Sequence, residues 1–128
     1  MTWTLSQRSE LALEGVHPDL IRVVRQALSL CPLDFVVIEG LRTPARQREL
    51  LSSGKTRTLN SRHLTGHAVD VVPLVNGGIP WEDWFAFEQV SKAMKQAGRT
   101  LCIPIIWGGD WVTFRDGPHY ELFRGAYP

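Results

Sequence analysis

Cysteine is scarce in this sequence. Cys31 and Cys102 stand alone, and no C-x-x-C spacing joins them, which argues against a thiolate metal site. Both read as buried free thiols, with a disulfide between them left open. Net charge is nearly absent too. At +1, the chain has no electrostatic pull toward nucleic acid or an anionic membrane surface, and neither partner is expected. No apolar run approaches the roughly 18 residues that span a bilayer, so no membrane insertion is expected. The opening MTWTLSQRSELALEG lacks the basic start and apolar stretch of a secretory leader, so the chain is expected to stay in the cytoplasm unless something else releases it. Repeats, low-complexity tracts and linkers are also missing.

What is present points to one globular domain over residues 1–128, long enough to bury one real core. Five tryptophans are many for this length, and Trp81, Trp84, Trp107 and Trp111 crowd the second half. Some must fill the core, and one or two are free to line a groove; Trp111 is the choice for the groove, with core packing the competing role.

The pattern alternates between helical and extended signals. Ser6 opens a short helix through Glu10, Leu11 and Leu13 to Gly15, and a stronger one starts at Asp19, carries Leu20, Val23, Val24, Ala27 and Leu28, and stops before Pro32. DFVVIEG, residues 34–40, is a core strand. Thr43-Pro44 fits the N-cap and first position of a helix bearing Gln47, Leu50 and Leu51 that ends at Gly54. KTRTLNSRHLTG, residues 55–66, is a polar loop; HAVDVVPLV is a strand, and Asn76-Gly77-Gly78 a turn. A helix from Pro80 to Gly98 carries Phe85, Val90, Ala93, Met94 and Ala97; CIPIIWGG and PHYELF are the last strands. The final strands can pair antiparallel, so the expected class is α+β.

Chemistry concentrates in SRHLTGHAVD, residues 61–70. For His63 and Asp70 to share one ion their donor atoms must lie about 3.3 Å apart, whereas seven extended residues span roughly 23 Å. The chain must double back, and Leu64-Thr65-Gly66 permits it because glycine tolerates positive φ. Beyond the turn, Ala68, Asp70 and Val72 share one strand face while His67, Val69 and Val71 share the other, so His67 is the poorer ligand. An aspartate among valines is costly to bury unless paired or metal-bound; capping a strand end or pairing with Arg62 would also satisfy it. A catalytic zinc takes three protein ligands and keeps one position open. WGGDWVTFRDGPHYEL offers His119 as the third, although a histidine there could also be an exposed turn residue. Asp116, three residues earlier, is a candidate general base, with Glu121 as its rival or as a partner of His119 on the same strand face. Arg42, between strand and helix in GLRT, could stabilise an oxyanion or simply be a solvated loop arginine.

GLRTPARQREL, SRHLTGHAVDVVP and WGGDWVTFRDGPHYE, in this order and spacing, resemble the zinc peptidases that include bacterial D-alanyl-D-alanine carboxypeptidases and dipeptidases, and more closely their phage branch, the L-alanyl-D-glutamate endopeptidases that act as endolysins. The resemblance covers nearly the whole chain, and the pattern S-x-H-x-x-G-x-A-x-D is met in full by Ser61, His63, Gly66, Ala68 and Asp70. It implies a small α+β fold shared with the hedgehog signalling domain, helices on a mostly antiparallel sheet with zinc in a groove. It implies one Zn2+ on His63, Asp70 and His119, Asp116 as general base, Arg42 beside the substrate carbonyl, and Ser61 orienting a ligand or substrate. The implied substrate is the peptidoglycan stem peptide, cut at L-Ala–D-Glu by a monomer that a separate pore-forming protein releases to the wall. A zinc D,D-carboxypeptidase is the enzyme alternative, and a catalytically silent zinc-containing wall-binding module the non-enzyme one.

Overall fold

The computed structural model describes residues 3–56 and 61–128; within the loop read at 55–66, positions 57–60 lie outside the described residues. The elements run α1 (Gln7–Ala12), α2 (Pro18–Leu30), β1 (Asp34–Glu39), α3 (Pro44–Ser52), a 3-10 turn (Arg62–Thr65), β2 (Ala68–Leu74), α4 (Trp84–Leu101), β3 (Ile105–Trp107), a second 3-10 turn (Gly108–Asp110) and β4 (His119–Leu122). The four strands form one antiparallel sheet in the order β1-β2-β4-β3, so the α+β expectation holds.

Local chemistry sets most boundaries. Ser6 caps α1, and Thr43 caps α3 by accepting from the Arg46 N–H with Pro44 at the first position. Asn76 and Gly77 both take positive φ (52° and 80°), as a tight hairpin turn requires. Two helix starts differ from the sequence reading. α2 begins at Pro18 rather than Asp19, because His17 Nδ1 accepts from the Asp19 N–H and acts as the cap. α4 begins at Trp84 rather than Pro80, because Asp83 is its cap.

The far end of α4 differs as well. Gly98 lies inside the helix, which runs on to Leu101 before Cys102 turns left-handed at φ 58°. A side chain at Gly98 would come within 2.8 Å of the Ile103 carbonyl oxygen, so this glycine serves close packing rather than a stop. Phe85 is 61% exposed, and Phe87 is buried in its place. At about 100° per residue Phe85 sits roughly 140° away from the stripe through Val90 and cannot join it. Cys102 is exposed, which corrects the expectation of two buried thiols; Cys31 is buried, and both are free.

The two sheet faces divide the labour. Val37, Val69, Val71, Tyr120 and Leu122 face the main core, packed under α2 and α4 with Leu20, Val24, Val90 and Met94. Val36 and Val72 face the other way, against Phe87. Asp70 alternates with Val69 and Val71, so it emerges on this second face. Tyr120 is wholly buried, and its hydroxyl has no hydrogen-bond partner among the described residues. Burial drives its acidity far down, so it stays a neutral, unpaired phenol. Tyr120→Phe removes that cost and is expected to stabilise the fold by about 1 kcal/mol. Urea titration checks this; a destabilised variant would mean the hydroxyl is satisfied after all.

Candidate metal centre

Three elements converge on one point. Strand register brings two of them: in the β2–β4 ladder the Cα partner of Asp70 is His119, and in the β1–β2 ladder it is Glu39. The 3-10 turn brings the third. Ser61 Oγ accepts from the His63 N–H and starts the turn, and Gly66 ends it at φ 75°. A side chain at Gly66 would come within 2.5 Å of the Gly15 carbonyl oxygen, and the Gly66 carbonyl accepts from the His17 N–H at 2.8 Å. The turn is thus pressed onto the α1–α2 corner, and only glycine fits. The Arg42 N–H donates to the His63 carbonyl at 2.9 Å, which fixes the other side.

The donor atoms meet. His63 Nε2 lies 3.2 Å from Asp70 Oδ1, and His119 Nδ1 lies 3.7 Å from the same oxygen. One ligand atom from each of the three residues lies within 4.8 Å of the others. Each ring is anchored through its far nitrogen. His63 Nδ1–H donates to the Gly40 carbonyl at 2.9 Å, and His119 Nε2–H donates to Glu121 Oε1 at 2.8 Å. Once the near nitrogens are deprotonated, they would offer lone pairs to an ion, as metal-ligating histidines require. Two imidazoles and one carboxylate suit zinc, and the residues present therefore fit such an ion.

The electrostatics agree with a cation-seeking site. Burial opposes the charge on Asp70, but its hydrogen bonds to His119 and His63 outweigh that and hold the carboxyl well below the usual range. Burial likewise opposes charging His119, yet hydrogen bonds to Asp70 and Glu121 push it up to about 9. A metal ion must displace that proton. Metal affinity is therefore expected to rise about tenfold per pH unit between about pH 6 and 8 and to level off above about 9. Chelator competition across that range measures it, and a flat profile would contradict the proton release.

The other residues singled out in the sequence surround the same cavity, of about 760 Å³: Arg42, Ser61, Trp111, Asp116 and Glu121 all line it. Asp116 and His119 are the two ends of one tight turn, in which the His119 N–H donates to the Asp116 carbonyl at 3.2 Å. Trp107 Nε1–H holds that turn through the Gly117 carbonyl at 2.7 Å. The Asp116 carboxylate has no hydrogen bond or ion pair among the described residues; burial, reinforced by the charge of Asp70, raises its pKa. Glu121 is engaged by His119, with Arg62 Nε 3.9 Å away. The Trp111 ring lies 5.0 Å from the His119 ring. His67 stands outside the group, its Nδ1 on Thr65 Oγ1 at 2.6 Å.

Arg42 is not a solvated loop arginine. It is buried, gripped bidentately by Glu39 at 2.8 Å on each oxygen, donates to Gln47 Oε1 at 2.7 Å, and places Nη2 3.7 Å from Asp70 Oδ2. Arg62 does not pair with Asp70. It donates instead to the Leu122 and Tyr127 carbonyls at 3.2 and 2.6 Å. Glu39, Gly40 and Gln47 were missed in the sequence as supports of the site. Gln47, fully buried on a short polar helix, was the one with a legible signal.

The chain is similar to several known proteins. The family model for phage L-alanyl-D-glutamate peptidase matches residues 1–123. The L-alanyl-D-glutamate peptidase of Escherichia phage T5 is 39% identical over 130 residues, covering 99% of this chain and 94% of that protein. The peptidoglycan L-alanyl-D-glutamate endopeptidase CwlK of Bacillus subtilis is 32% identical over 70% of this chain and 61% of its own length. The crystal structure of the Serratia marcescens L-Ala D-Glu endopeptidase ChiX superposes with a TM-score of 0.91 at 48% identity, covering 100% of this chain and 94% of that one.

Proposed function

The chain belongs to the phage L-alanyl-D-glutamate peptidase family, and on that premise we propose a zinc-dependent mechanism in which His63, Asp70 and His119 hold one ion and Asp116 is the base. The protein is a peptidoglycan-degrading endopeptidase of the endolysin type, acting on the L-Ala–D-Glu bond of the stem peptide. The observation that supports the mechanism is the convergence of three donors beside one carboxylate that has no partner among the described residues, in a single cavity.

Zinc bound there supplies Lewis-acid polarisation and makes water a nucleophile near neutral pH. The chain's own residues do the rest. Gly40 and Glu121 fix the tautomers of His63 and His119. Asp116 accepts a proton from the attacking water and returns it to the departing amine of D-Glu. Arg42 has five N–H donors, and three of its hydrogen bonds go to Glu39 and Gln47. Its remaining donors steady charge on the substrate carbonyl, and its guanidinium holds Asp70 in place. One domain acting as a monomer suffices for this chemistry. No helix among the described residues is long and apolar enough to cross a membrane, and we assign access to the wall to a separate pore-forming protein.

Mass spectrometry of purified peptidoglycan digests tests the reading. A new free N-terminus on D-Glu, lost on chelation and restored by zinc, is the expected product. Release of single D-Ala would mean carboxypeptidase action instead, and no released amine at all would mean a silent binding module.

A further inference from the structure

The cavity that holds the triad also has an aromatic rim that the chemistry above leaves unused. Trp81 and Phe114 both line it, and they remain 58% and 37% exposed. Trp81 precedes α4 and rests against buried Phe87, with ring centroids 6.1 Å apart. Phe114 belongs to the loop between Trp111 and Asp116, where Val112 is 98% exposed. Phe114 itself is held at φ 51°, a left-handed conformation that a bulky residue adopts only at a cost of the order of 1 kcal/mol.

The substrate supplies a ligand for these rings, given the reading of the reaction above. L-Ala is joined through its nitrogen to the lactyl group of the glycan, so the sugar begins roughly two residue lengths, about 7 Å, from the attacked carbonyl. The rest of the stem peptide leaves in the other direction and is rich in carboxylates. Besides buried Arg42 and Arg62, the cavity is lined by the cations Arg46 and Lys55, from α3 and the segment just after it, and Arg124, from the C-terminal turn, whereas the rings of Trp81 and Phe114 come from the turn before α4 and the loop after β3. A pyranose offers an apolar C–H face to a ring and hydroxyls to water, the pairing that a half-exposed tryptophan suits. The geometry points to Trp81 and Phe114 as a sugar subsite that stacks the amino-sugar of the glycan strand, so that the enzyme selects stem peptides still attached to glycan.

Two substrates and one probe test it: a disaccharide tetrapeptide, the same tetrapeptide freed of sugar by an amidase, and a β-1,4 N-acetylglucosamine tetramer. The wild type is expected to show a kcat/KM about tenfold higher on the glycosylated substrate, equivalent to about 1.4 kcal/mol. Trp81→Ala should lower that ratio toward one, mainly through KM, and Trp81→Phe should restore most of it. The tetramer should give saturation-transfer signals with the wild type that weaken in Trp81→Ala. A wild-type ratio near one, or a ratio that Trp81→Ala leaves in place, overturns the subsite. If neither peptide is cut at L-Ala–D-Glu while the tetramer still binds through Trp81, the reading of the reaction falls and the sugar site stands.

Discussion

Asp116→Ala is expected to keep one bound metal ion per chain and to lose about 10³-fold in kcat, within the 10²–10⁴ that general bases contribute. Its position argues for this. It ends the same tight turn that presents His119, lines the same cavity, and has no partner among the described residues to spend its charge on. A raised pKa makes it a better proton acceptor than a solvated aspartate. Glu121 is the competing base, but its Oε1 already accepts from His119 and its Oε2 faces Arg62. Glu121→Gln should therefore act on metal affinity, by about 10–100-fold, rather than on the chemical step. Metal content by plasma emission and single-turnover rates separate the two effects. Near-full activity in Asp116→Ala would move the base to Glu121.

His119→Ala should remove the ion and the activity together, with a loss of at least about 10⁴-fold that excess zinc does not restore at neutral pH. Only His63 and Asp70 would remain as protein donors. The fold should survive, because His119 is the first residue of β4 and faces away from the main core, so circular dichroism should match the wild type. His67→Ala is the matched control: it too removes an imidazole from this region, but one held by Thr65 outside the cluster, so metal stoichiometry should stay at one. Stoichiometric zinc in His119→Ala, or its loss in His67→Ala, would redraw the ligand set.

Much of the site was legible because its signals are local. The Thr43-Pro44 cap, the return of the chain at Gly66 and the alternation that sets Asp70 apart from His67 each depend on bonds within a few residues. So does the pairing of Asp116 with His119 across one turn. What failed was mostly of a different kind. Phe85 was assigned to the core of α4 although its helical phase sets it off the Val90 stripe, and Gly98 was assigned to the helix end, whereas Ile103 needs the space a side chain at Gly98 would take. Arg42 gave no sign of its grip on Glu39 and Gln47, since that depends on how α3 lies against the end of β1.

By itself, then, the sequence determined the α+β class, the residues to examine for a metal site, and the turn that lets His63 and Asp70 approach each other. Only the tertiary structure decided that Asp70 is paired with His119 across the sheet, which nitrogen of each histidine faces inward, and that Trp81 and Phe114 stand at the mouth of the same cavity. The reason is range. Turns and caps are fixed by hydrogen bonds among near neighbours, whereas strand register, tautomer and exposure follow from packing between segments some fifty residues apart.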